Sequence, residues 1–506
     1  MIKPTIYVAS AGTGKTTALV SYLSKIIKEG VRPQEILFTT FTNAGAQEII
    51  KRTLEAVPNL SEKDFPLFRT LHSVSYRNIP RKQMLRPSDY FQLAKLTGYS
   101  ITGKQTNSED GTFHASASKG DMLLQLNTLM RARQESAEET AVNQVNTNFS
   151  AEEIQKFDEN YKKFRNELDK YDFTDQLEVF LQSLDYGSPF RLSDVIVDES
   201  QDMTPLQWSI LHKLQQINDS RMLVAGDDKQ SIYAFTGADP NSLINLDGTR
   251  IVLDTTYRVP SEPLKYAEKI ASRITRKQKY EVRSKTNGGS VQYITALNQV
   301  DMSSDTWFLL VRNRFLMGIV ESMATESGFA ITTDNPNSPF SPKRLEAIRL
   351  WKELIAGFEV AGESLKQLIE FLPSKKAIKY GFIKKWDSLH NDVYYDWDAL
   401  NKEYGLITEK PWHDVLEISQ SDKEALMVLD KKGELSKKPR ITVSTIHGVK
   451  GREADNVVVF PDITQQTEKN YLANPDDEHR AFYVATTRTK KNLYLHAPFT
   501  NKAYPL

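Results

Sequence analysis

The chain has 506 residues, of which 40% are hydrophobic and 26% are charged. This length is more than one hydrophobic core usually serves, and it predicts about three or four domains. The 65 basic residues balance the 65 acidic residues, so phosphate binding has to come from local patches and not from overall charge. The sequence contains no cysteine, which excludes disulfides, zinc–thiolate and iron–sulfur centres, and thiol catalysis.

We expect neither a membrane-spanning segment nor an export signal in this chain. It has no run of about 18 apolar residues, the length that a spanning helix needs. The N-terminus enters an apolar strand pattern almost at once, which differs from a signal-peptide profile. We therefore expect a cytoplasmic protein with no membrane partner.

The first predicted strand leads directly into a candidate phosphate-binding loop. Residues 9–16 read ASAGTGKT after an apolar run, with Ala9 in place of the usual first glycine. In such a loop the backbone N–H groups and the positive end of the next helix face a polyphosphate. Lys15 would neutralise phosphate charge, and the Thr16 hydroxyl would ligate Mg²⁺. An ordinary turn before a helix is the alternative, and the flanking strand and helix patterns argue against it. The candidate nucleotide-binding residues are Ala11, Gly12, Thr13, Gly14, Lys15, Thr16 and Thr17.

Short apolar runs alternate with helical patterns along the chain, which is typical of α/β folds with parallel sheets. The predicted strands fall into two sets, and we expect one sheet core from each. The first set is 5–8, 36–41, 195–198 and 222–226, and the second is 291–294, 308–311, 441–444 and 457–460.

Two stretches between the strands predict mostly helical insertions, at roughly 80–190 and 335–435. In the first, Ser150 and Glu153 form a capping-box pattern at a helix start. The apolar residues that follow repeat at helical spacing, at positions 154, 157, 161, 164 and 168. Residues 97–120 are rich in Gly, Ser and Thr and predict a loop.

An acidic pair follows the third predicted strand, where residues 194–202 read DVIVDESQD. Asp198 at the strand end would hold Mg²⁺, and Glu199 would activate the attacking water. An acidic turn at a strand end is common by itself. Its pairing with the phosphate-binding loop favours the catalytic interpretation.

The fourth strand is followed by a neutral amide and two aromatic residues, within MLVAGDDKQSIYAFTGAD at 222–239. Gln230 could sense the terminal phosphate without leaving a charge behind after hydrolysis. Tyr233 and Phe235 offer faces on which bases can stack. Taken without the other motifs, these aromatic residues would more often belong to the core.

At this point the chain resembles the UvrD/Rep/PcrA family of superfamily 1 DNA helicases. Each matching segment is moderately specific, whereas the complete set in the correct order is very specific. The further segments are TTFTNAGAQEI (39–49, motif Ia), RTLHSVSYR (69–77, motif Ib), YDFTDQL (171–177), LDTTYRVP (253–260, motif IV), VSTIHGVKGREADNVVVF (443–460, motif V) and DEHRAFYVATTRTKKNLYL (477–495, motif VI).

The resemblance implies an α/β P-loop NTPase with two RecA-like parallel-sheet cores and two mostly helical inserted subdomains. The expected boundaries are 1–80 with 190–255 and 256–335 with 436–506 for the cores, and 81–189 and 336–435 for the insertions. Arg258 and Arg488 match the family's two arginine fingers, while Tyr257 would stack on adenine and Glu453 would bind the ribose. Without the flanking motifs, an ordinary ion pair would be the plainer interpretation of Arg258. The positions that match the single-strand track are Phe41, Thr42, Asn43, His72, Tyr233, Phe235, Thr445 and His447.

The resemblance further implies an ATP- and Mg²⁺-dependent DNA helicase that acts on single-stranded DNA and on single-strand/duplex junctions, with replication or repair proteins as partners. Helicases of the branch that travels with the opposite polarity have the form Gly-Asp-x-x-Gln-Leu-Pro in this segment. This chain instead reads GDDKQSIYAF, and the resemblance therefore implies 3′→5′ travel. Two alternatives stay open at this point. One is a translocase that displaces bound proteins but unwinds weakly, which the small second insertion favours. The other is a small-molecule phosphotransferase, which leaves the aromatic motifs without a role.

Three departures from the family pattern bear on these expectations. Only 14 residues precede Lys15, so we expect no upstream glutamine motif, and selection of ATP over other triphosphates is less secure. Thr489 replaces the usual alanine, a change that we expect to be tolerated. Fewer than two hundred residues separate the motif IV segment from the motif V segment, so we expect the second insertion to be smaller than in the bacterial enzymes and assign it no regulatory rotation.

Two basic segments, 273–285 and 375–385, are a separate feature and are either solvated faces or contacts to a nucleic-acid backbone.

Overall fold

Two six-stranded sheets organise the computed structural model of the chain, which describes residues 2–103, 118–143, 148–326, 328–335, 338–374, 376–435 and 439–506. The chain forms two compact units. Unit 1 consists of Met1–Val291, Ile463–Asn492 and Asn501–Leu506, and unit 2 consists of Gln292–Asp462 and Leu493–Thr500.

Up to the start of unit 2, the strands are β1 (Thr5–Ala9), β2 (Ile36–Thr39), β3 (Phe68–Arg69), β4 (Gln83–Met84), β5 (Lys170–Tyr171), β6 (Asp194–Val197), β7 (Arg221–Gly226), β8 (Thr249–Leu253), β9 (Thr255–Thr256) and β10 (Arg283–Ser284). The helices of this part are α1 (Lys15–Lys28), α2 (Asn43–Ala56), α3 (Leu71–Arg77), α4 (Tyr90–Thr97), α5 (Lys119–Arg133), α6 (Ala137–Asn143), α7 (Ala151–Leu168), α8 (Phe173–Ser183), α9 (Pro205–Asn218), α10 (Pro240–Ile244) and α11 (Ser261–Ser272).

The remaining strands are β11 (Ser290–Ile294), β12 (Trp307–Val311), β13 (Ile331–Thr333), β14 (Val360–Ala361), β15 (Tyr394–Tyr395), β16 (Ile441–Thr445), β17 (Ala454–Val459) and β18 (Thr489–His496). The remaining helices are α12 (Met317–Glu326), α13 (Pro342–Ile355), α14 (Gly362–Leu368), α15 (Trp397–Tyr404), α16 (Trp412–Val415), α17 (Gln420–Lys431), α18 (Gln465–Ala473) and α19 (Pro475–Thr486).

The sheet of unit 1 has the strand order β3-β2-β6-β7-β1-β8, and its neighbouring strands pair in parallel. Every residue of β2 and β6 is buried. Strands covered on both faces need apolar side chains at successive positions, which is why they read as continuous apolar runs in the sequence. The carboxyl ends of these strands share one edge of the sheet, where open α/β sheets bind their ligands.

The predicted strand at 36–41 is two residues shorter in the structure, because β2 ends at Thr39. Thr42 instead caps α2, and its hydroxyl accepts a hydrogen bond from the Gly45 N–H at 3.0 Å. Phe41 therefore lies in the turn between strand and helix and not in the sheet. The predicted strand at 195–198 likewise ends one residue early, which leaves Asp198 beyond the end of β6.

The first predicted helical insertion has a separate apolar core that is built from α4 to α7, whereas Leu177 and Phe180 of α8 pack into a core of the first sheet. The Ser150–Glu153 capping box is present at the start of α7. The apolar residues predicted to share one face of this helix are buried or packed against its core: Ile154, Phe157, Tyr161, Phe164 and Leu168. Of the predicted loop at 97–120, residues 104–117 lie outside the described part of the chain, and α5 already begins at Lys119.

The sheet of unit 2 has the order β11-β18-β17-β12-β16-β13, with β12 parallel to both β16 and β17. The second predicted insertion is mostly helical, with α13 to α17 and the short pair β14–β15. The indoles of Trp351, Trp386 and Trp412 are buried there, and each donates its ring N–H to an oxygen of the same region. These anchors explain how a polar stretch folds around a core.

Among the helices that the structure describes, none combines the length and the hydropathy needed to cross a bilayer.

Candidate active site

The loop between β1 and α1 has the backbone conformation of an anion-binding loop. Gly12 and Gly14 adopt positive φ angles of 71° and 83°, a region in which residues with a Cβ are strained. Gly14 is the N-cap of α1, and no side chain caps this helix start. The first N–H groups of α1 are thus left without a capping side chain at the positive end of the helix.

The same loop is tied to the segment that follows β8. The Thr256 hydroxyl donates to the Ala11 carbonyl at 2.7 Å, and the Tyr257 N–H donates to the Gly12 carbonyl at 2.9 Å. A Cβ on Gly12 would lie 2.4 Å from the Cβ of Arg258. Glycine is therefore required at position 12 for a second reason, since only it lets Arg258 approach the loop.

Lys15 and the acidic pair meet at the sheet edge. The Lys15 ammonium lies 3.0 Å from Oε1 of Glu199. Burial acts to lower the pKa of Lys15, but the carboxylates of Glu199, Asp198 and Asp227 raise it above its ordinary value, so the side chain stays charged. Burial, and then the charge of Glu199, raise the pKa of Asp198 to about 7. A buried carboxyl whose pKa is shifted in this way, next to a lysine–carboxylate pair, is typical of functional sites.

Glu199 sits in a strained backbone conformation, with a φ angle of 50° that only a few non-glycine residues adopt. Its N–H donates to Oδ1 of Asp198 at 2.9 Å, and its Oε2 accepts from Nε2 of Gln201. The left-handed turn directs this carboxylate towards Lys15 and not along the strand. Strain of this kind is held in place by surrounding contacts and clusters at active sites.

Gln230 and Arg488 are joined by a buried hydrogen bond. Nη2 of Arg488 donates to Oε1 of Gln230 at 2.7 Å, and Nε2 of Gln230 donates to Oδ2 of Asp227 at 2.6 Å. Burial, together with the nearby charge of Arg258, lowers the pKa of Arg488 to about 9. The guanidinium therefore remains cationic at neutral pH. The structure brings together the predicted catalytic residues of unit 1, namely Lys15, Asp198, Glu199, Gln230, Arg258 and Arg488.

Several residues of this cluster escaped the sequence analysis. Asp227 organises it, because its carboxylate also accepts from the Tyr280 hydroxyl at 2.9 Å. Its place directly after a strand was a signal that could have identified it. Lys229 pairs with Glu268 at 2.9 Å, although the side chain of Lys229 is only 2% exposed. No sequence pattern indicates that partnership, since Glu268 lies on a separate helix.

Tyr257 presents a ring at the phosphate-binding loop. Its side chain is 61% exposed, and the ammonium of Lys285 lies 5.0 Å from the ring centroid. An aromatic ring in this position can stack on a nucleobase. The predicted adenine contact is compatible with this placement.

The predicted track residues of unit 1 form two aromatic groups. Phe41 and Tyr233 stack with centroids 4.6 Å apart and planes 12° apart, and Phe235 meets Tyr233 edge-on at 5.9 Å. These three rings are half-buried, which keeps part of each face accessible. Thr42 and Asn43 are exposed beside them at the start of α2.

The second group consists of His72 and Phe173, which meet edge-on with centroids 6.3 Å apart. Burial lowers the pKa of His72, so the imidazole is neutral at pH 7. Phe173 is the first residue of α8, and it is 68% exposed. No role was predicted for it from the sequence. Its position within YDFTDQL was the only available signal.

Three predicted residues belong to unit 2. Thr445 ends β16 and accepts a hydrogen bond from the Gly448 N–H at 3.1 Å, while His447 is buried in the turn that follows. Glu453 is exposed immediately before β17. The assigned ribose and track roles of these residues stay predictions.

The two basic segments differ. Arg273 and Lys277 donate to backbone carbonyls, of Pro505 at 2.5 Å and of Ser272 at 3.0 Å, so the fold itself uses part of segment 273–285. In segment 375–385, Lys375 lies outside the described residues. The other lysines of that segment are exposed: Lys376, Lys379, Lys384 and Lys385.

The donor set of the site fits magnesium. Asp198 offers a buried carboxylate at the strand end, and Thr16 offers a hydroxyl in the first turn of α1. Mg²⁺ prefers oxygen ligands and is usually held by one or two carboxylates, with phosphates and waters completing its shell. Asp198 and Thr16 match that requirement.

Comparison with known proteins identifies two matching family models. Residues 2–249 match the UvrD/REP helicase N-terminal domain, and residues 346–498 match the UvrD-like helicase C-terminal domain.

Curated relatives agree with these matches. The chain is 27% identical over 274 residues to the probable DNA helicase II homolog of Mycoplasma capricolum, an alignment that covers 51% of this chain and 37% of that protein. It is 25% identical over 325 residues to the ATP-dependent DNA helicase PcrA of Staphylococcus aureus, covering 59% of this chain and 42% of PcrA. A putative ATP-dependent DNA helicase of Bacillus subtilis, YjcD, is 25% identical over 282 residues, with 50% and 34% covered. The aligned part of the chain spans less than half the length of each relative.

Proposed function

Since this chain belongs to the UvrD-like helicase family, we propose that it is an ATP-dependent DNA helicase that moves 3′→5′ on single-stranded DNA. The observation that carries the proposal is the buried cluster in which Lys15 pairs with Glu199 and Arg488 bonds to Gln230. A phosphate-binding loop, a carboxylate beside it and a buried cationic finger are the parts that phosphoryl transfer requires.

Each side chain has a distinct task in ATP hydrolysis. The N–H groups of the loop and Lys15 bind the phosphates, and the Lys15 ammonium leaves Glu199 when it does so. Glu199 then orients the attacking water as a general base. Arg488 and Arg258 stabilise the charge that develops on the transferring phosphoryl group. Gln230, held between Asp227 and Arg488, senses whether the terminal phosphate is present.

Thr16 and Asp198 would hold Mg²⁺, which neutralises phosphate charge when it is bound. The placement of Asp198, buried directly after β6 and next to Glu199, supports this assignment. A buried carboxylate beside a second one gains most from a bound cation.

Single-stranded DNA is the proposed track. The stacked pair Phe41–Tyr233 and the edge-on ring of Phe235 provide faces for bases without reading their sequence. Tyr233 and Phe235 lie three and five residues after Gln230, at the next short helical turn after β7. A change at the phosphate can therefore move the base-binding rings through a few residues of backbone.

The finer assignments extend this proposal. We include Tyr257 for adenine and Glu453 for ribose, together with the four-domain division expected from the sequence. Single-strand/duplex junctions would be the substrate of unwinding, and replication or repair proteins the partners. The 3′→5′ direction rests on the form of the GDDKQSIYAF segment.

The first test measures ATP turnover of the whole chain with and without single-stranded oligothymidylate. Strong stimulation is expected, and turnover indifferent to DNA would instead favour a small-molecule phosphotransferase. Unwinding of duplexes with a 3′ or a 5′ single-stranded tail then tests direction. A parallel assay of streptavidin displacement from biotinylated single strands separates a helicase from a translocase that mainly strips proteins.

A further inference from the structure

A buried tyrosine connects the phosphate-binding loop to the helix that precedes Arg488. The hydroxyl of Tyr483, on α19, lies 2.6 Å from Oγ of Ser10, the first residue after β1. Tyr483 is 0% exposed and Ser10 is 1% exposed. Two hydroxyls at this distance in a dry environment form a hydrogen bond. Removing one of them leaves the other hydroxyl buried without this partner, which costs free energy.

The turn of α19 that carries Tyr483 also holds Arg488. Nε of Arg488 donates to the carbonyl of Val484 at 3.0 Å, and the Thr487 hydroxyl donates to the carbonyl of Tyr483 at 3.0 Å. Nη2 of Arg488 in turn donates to the Thr487 hydroxyl at 3.1 Å. A displacement of Tyr483 would therefore be passed to the guanidinium through this last turn of the helix.

The ring of Tyr483 faces a second functional turn as well. The ammonium of Lys229, next to Gln230, lies 5.9 Å from the ring centroid. Burial, and then the charge of Asp227, hold the pKa of Tyr483 well above its ordinary value. The phenol is therefore neutral, and its link to Ser10 is an ordinary pair of hydroxyls that does not titrate near neutral pH.

We infer that Tyr483 is a positioning residue, whose hydrogen bond to Ser10 sets the place of Arg488 relative to the phosphate-binding loop. This inference rests on the proposed function, because it assigns a role in the same hydrolytic site. Small misplacements of a catalytic group cost rate without weakening ground-state binding. Tyr483 consequently acts on turnover through Arg488, and not by touching the nucleotide.

The test compares Tyr483→Phe, Ser10→Ala and the double variant in steady-state ATP hydrolysis with saturating oligothymidylate. Each single change should lower kcat about tenfold, the factor that corresponds to the net worth of one hydrogen bond. The KM for ATP should stay within about twofold, because ground-state binding is not involved. The double variant should be no slower than either single one, since both remove the same bond.

A second comparison separates positioning from general stability. In an Arg488→Ala background, Tyr483→Phe should cause no further loss of kcat, because the group through which it acts is gone. Tyr504→Phe is the matched control. Its buried hydroxyl bonds to His479 at 2.7 Å and to Arg273, and its ring stacks on Phe482 of α19. That control should keep the kcat of the parent protein.

The outcomes distinguish a failure of this inference from a failure of the proposed function. If the parent protein shows no DNA-stimulated hydrolysis, the proposed function fails and the inference fails with it. If the parent hydrolyses ATP but Tyr483→Phe keeps its full kcat, only the inference is overturned. Multiplicative losses in the double variant, or a further loss in the Arg488→Ala background, would overturn it as well.

Discussion

The carboxyl-end edge of the first sheet carries two neighbouring regions of opposite character. The nucleotide-side cluster, defined by Lys15, Glu199, Asp227, Gln230 and Arg488, consists of charged and amide groups that are largely buried and hydrogen-bonded to one another. The aromatic track, defined by Phe41, Tyr233 and Phe235, consists of neutral rings that are half-buried and in contact with one another. Both begin within a few residues of the ends of β1, β2, β6 and β7.

The proposed function accounts for this difference through what each region would have to bind. A phosphoryl group in transfer needs fixed charges in a dry site, where electrostatic interactions are strong and every unpaired group is costly. A moving single strand needs faces that accept any base and release it again, which stacking allows. We therefore expect substitutions to act in an all-or-none manner in the cluster and in a graded manner along the track.

The largest expected effect is that of Lys15→Ala, which should abolish DNA-stimulated ATP hydrolysis while the fold is kept. The side chain of Glu199 is 33% exposed, so water can replace its lost partner. Hydrolysis measured by phosphate release checks this result, with Lys28→Ala at the far end of α1 as the control. Full activity of Lys15→Ala would refute the phosphate-loop assignment.

Arg488→Ala should retain nucleotide binding but lose turnover by about 10³-fold, the lower range for an arginine finger. The reason is that its charge is needed when the phosphoryl group moves and not when ATP binds. Binding of a fluorescent ATP analogue and single-turnover hydrolysis provide the two measurements, and the exposed Arg349→Ala serves as the control. Unchanged turnover with tight binding would contradict the finger role.

A graded effect is expected on the track. Tyr233→Ala should weaken binding of a labelled oligothymidylate by about 1–3 kcal/mol, the worth of one stacked base. Tyr233→Phe keeps the ring and should bind like the parent. Equal affinities of Tyr233→Ala and Tyr233→Phe would mean that no base stacks on this ring. The expected difference between graded effects on the track and all-or-none effects in the cluster would then be wrong.

The smallest expected effect is a pH dependence of stability, and it arises at Asp228, next to Asp227 of the nucleotide-side cluster. Burial, and then the charge of Asp227, raise the pKa of Asp228 to about 6 from an ordinary 3.8. The folded state thus binds a proton more tightly than the unfolded state, so the contribution of Asp228 to stability is lost as pH rises from about 4 through about 6.

Asp228→Asn removes this titration but keeps an oxygen for the Gln278 N–H, which lies 3.1 Å from the carboxylate. Its unfolding free energy relative to the parent should therefore rise by on the order of 1 kcal/mol between pH 5 and pH 7.5. Thermal unfolding at the two pH values measures the shift. A Tyr233→Phe protein should show no such pH dependence relative to the parent. If the difference in unfolding free energy between Asp228→Asn and the parent is the same at both pH values, the titration of Asp228 does not contribute to stability.

Local patterns were sufficient for the motifs that follow strands. Lys15, Asp198, Glu199 and Gln230 were predicted because parallel strands place their carboxyl ends at one sheet edge, so short apolar runs locate the site. The Ser150 capping box was equally local. The boundaries were less accurate, as at Thr39, because a cap formed by Thr42 ends the strand before its apolar run ends.

The amino-acid sequence by itself determined the α/β class and the family, and it predicted the phosphate-binding loop, because strand periodicity, glycine placement and ordered motifs are local properties of the chain. Only the tertiary structure decided that Ser10 bonds to Tyr483, that Lys229 pairs with Glu268 and that Arg488 bonds to Gln230. The physical reason is sequence separation. These partners lie between 39 and 473 positions apart. Their contacts depend on how the helices pack, and neither segment contains a sequence pattern that identifies its partner.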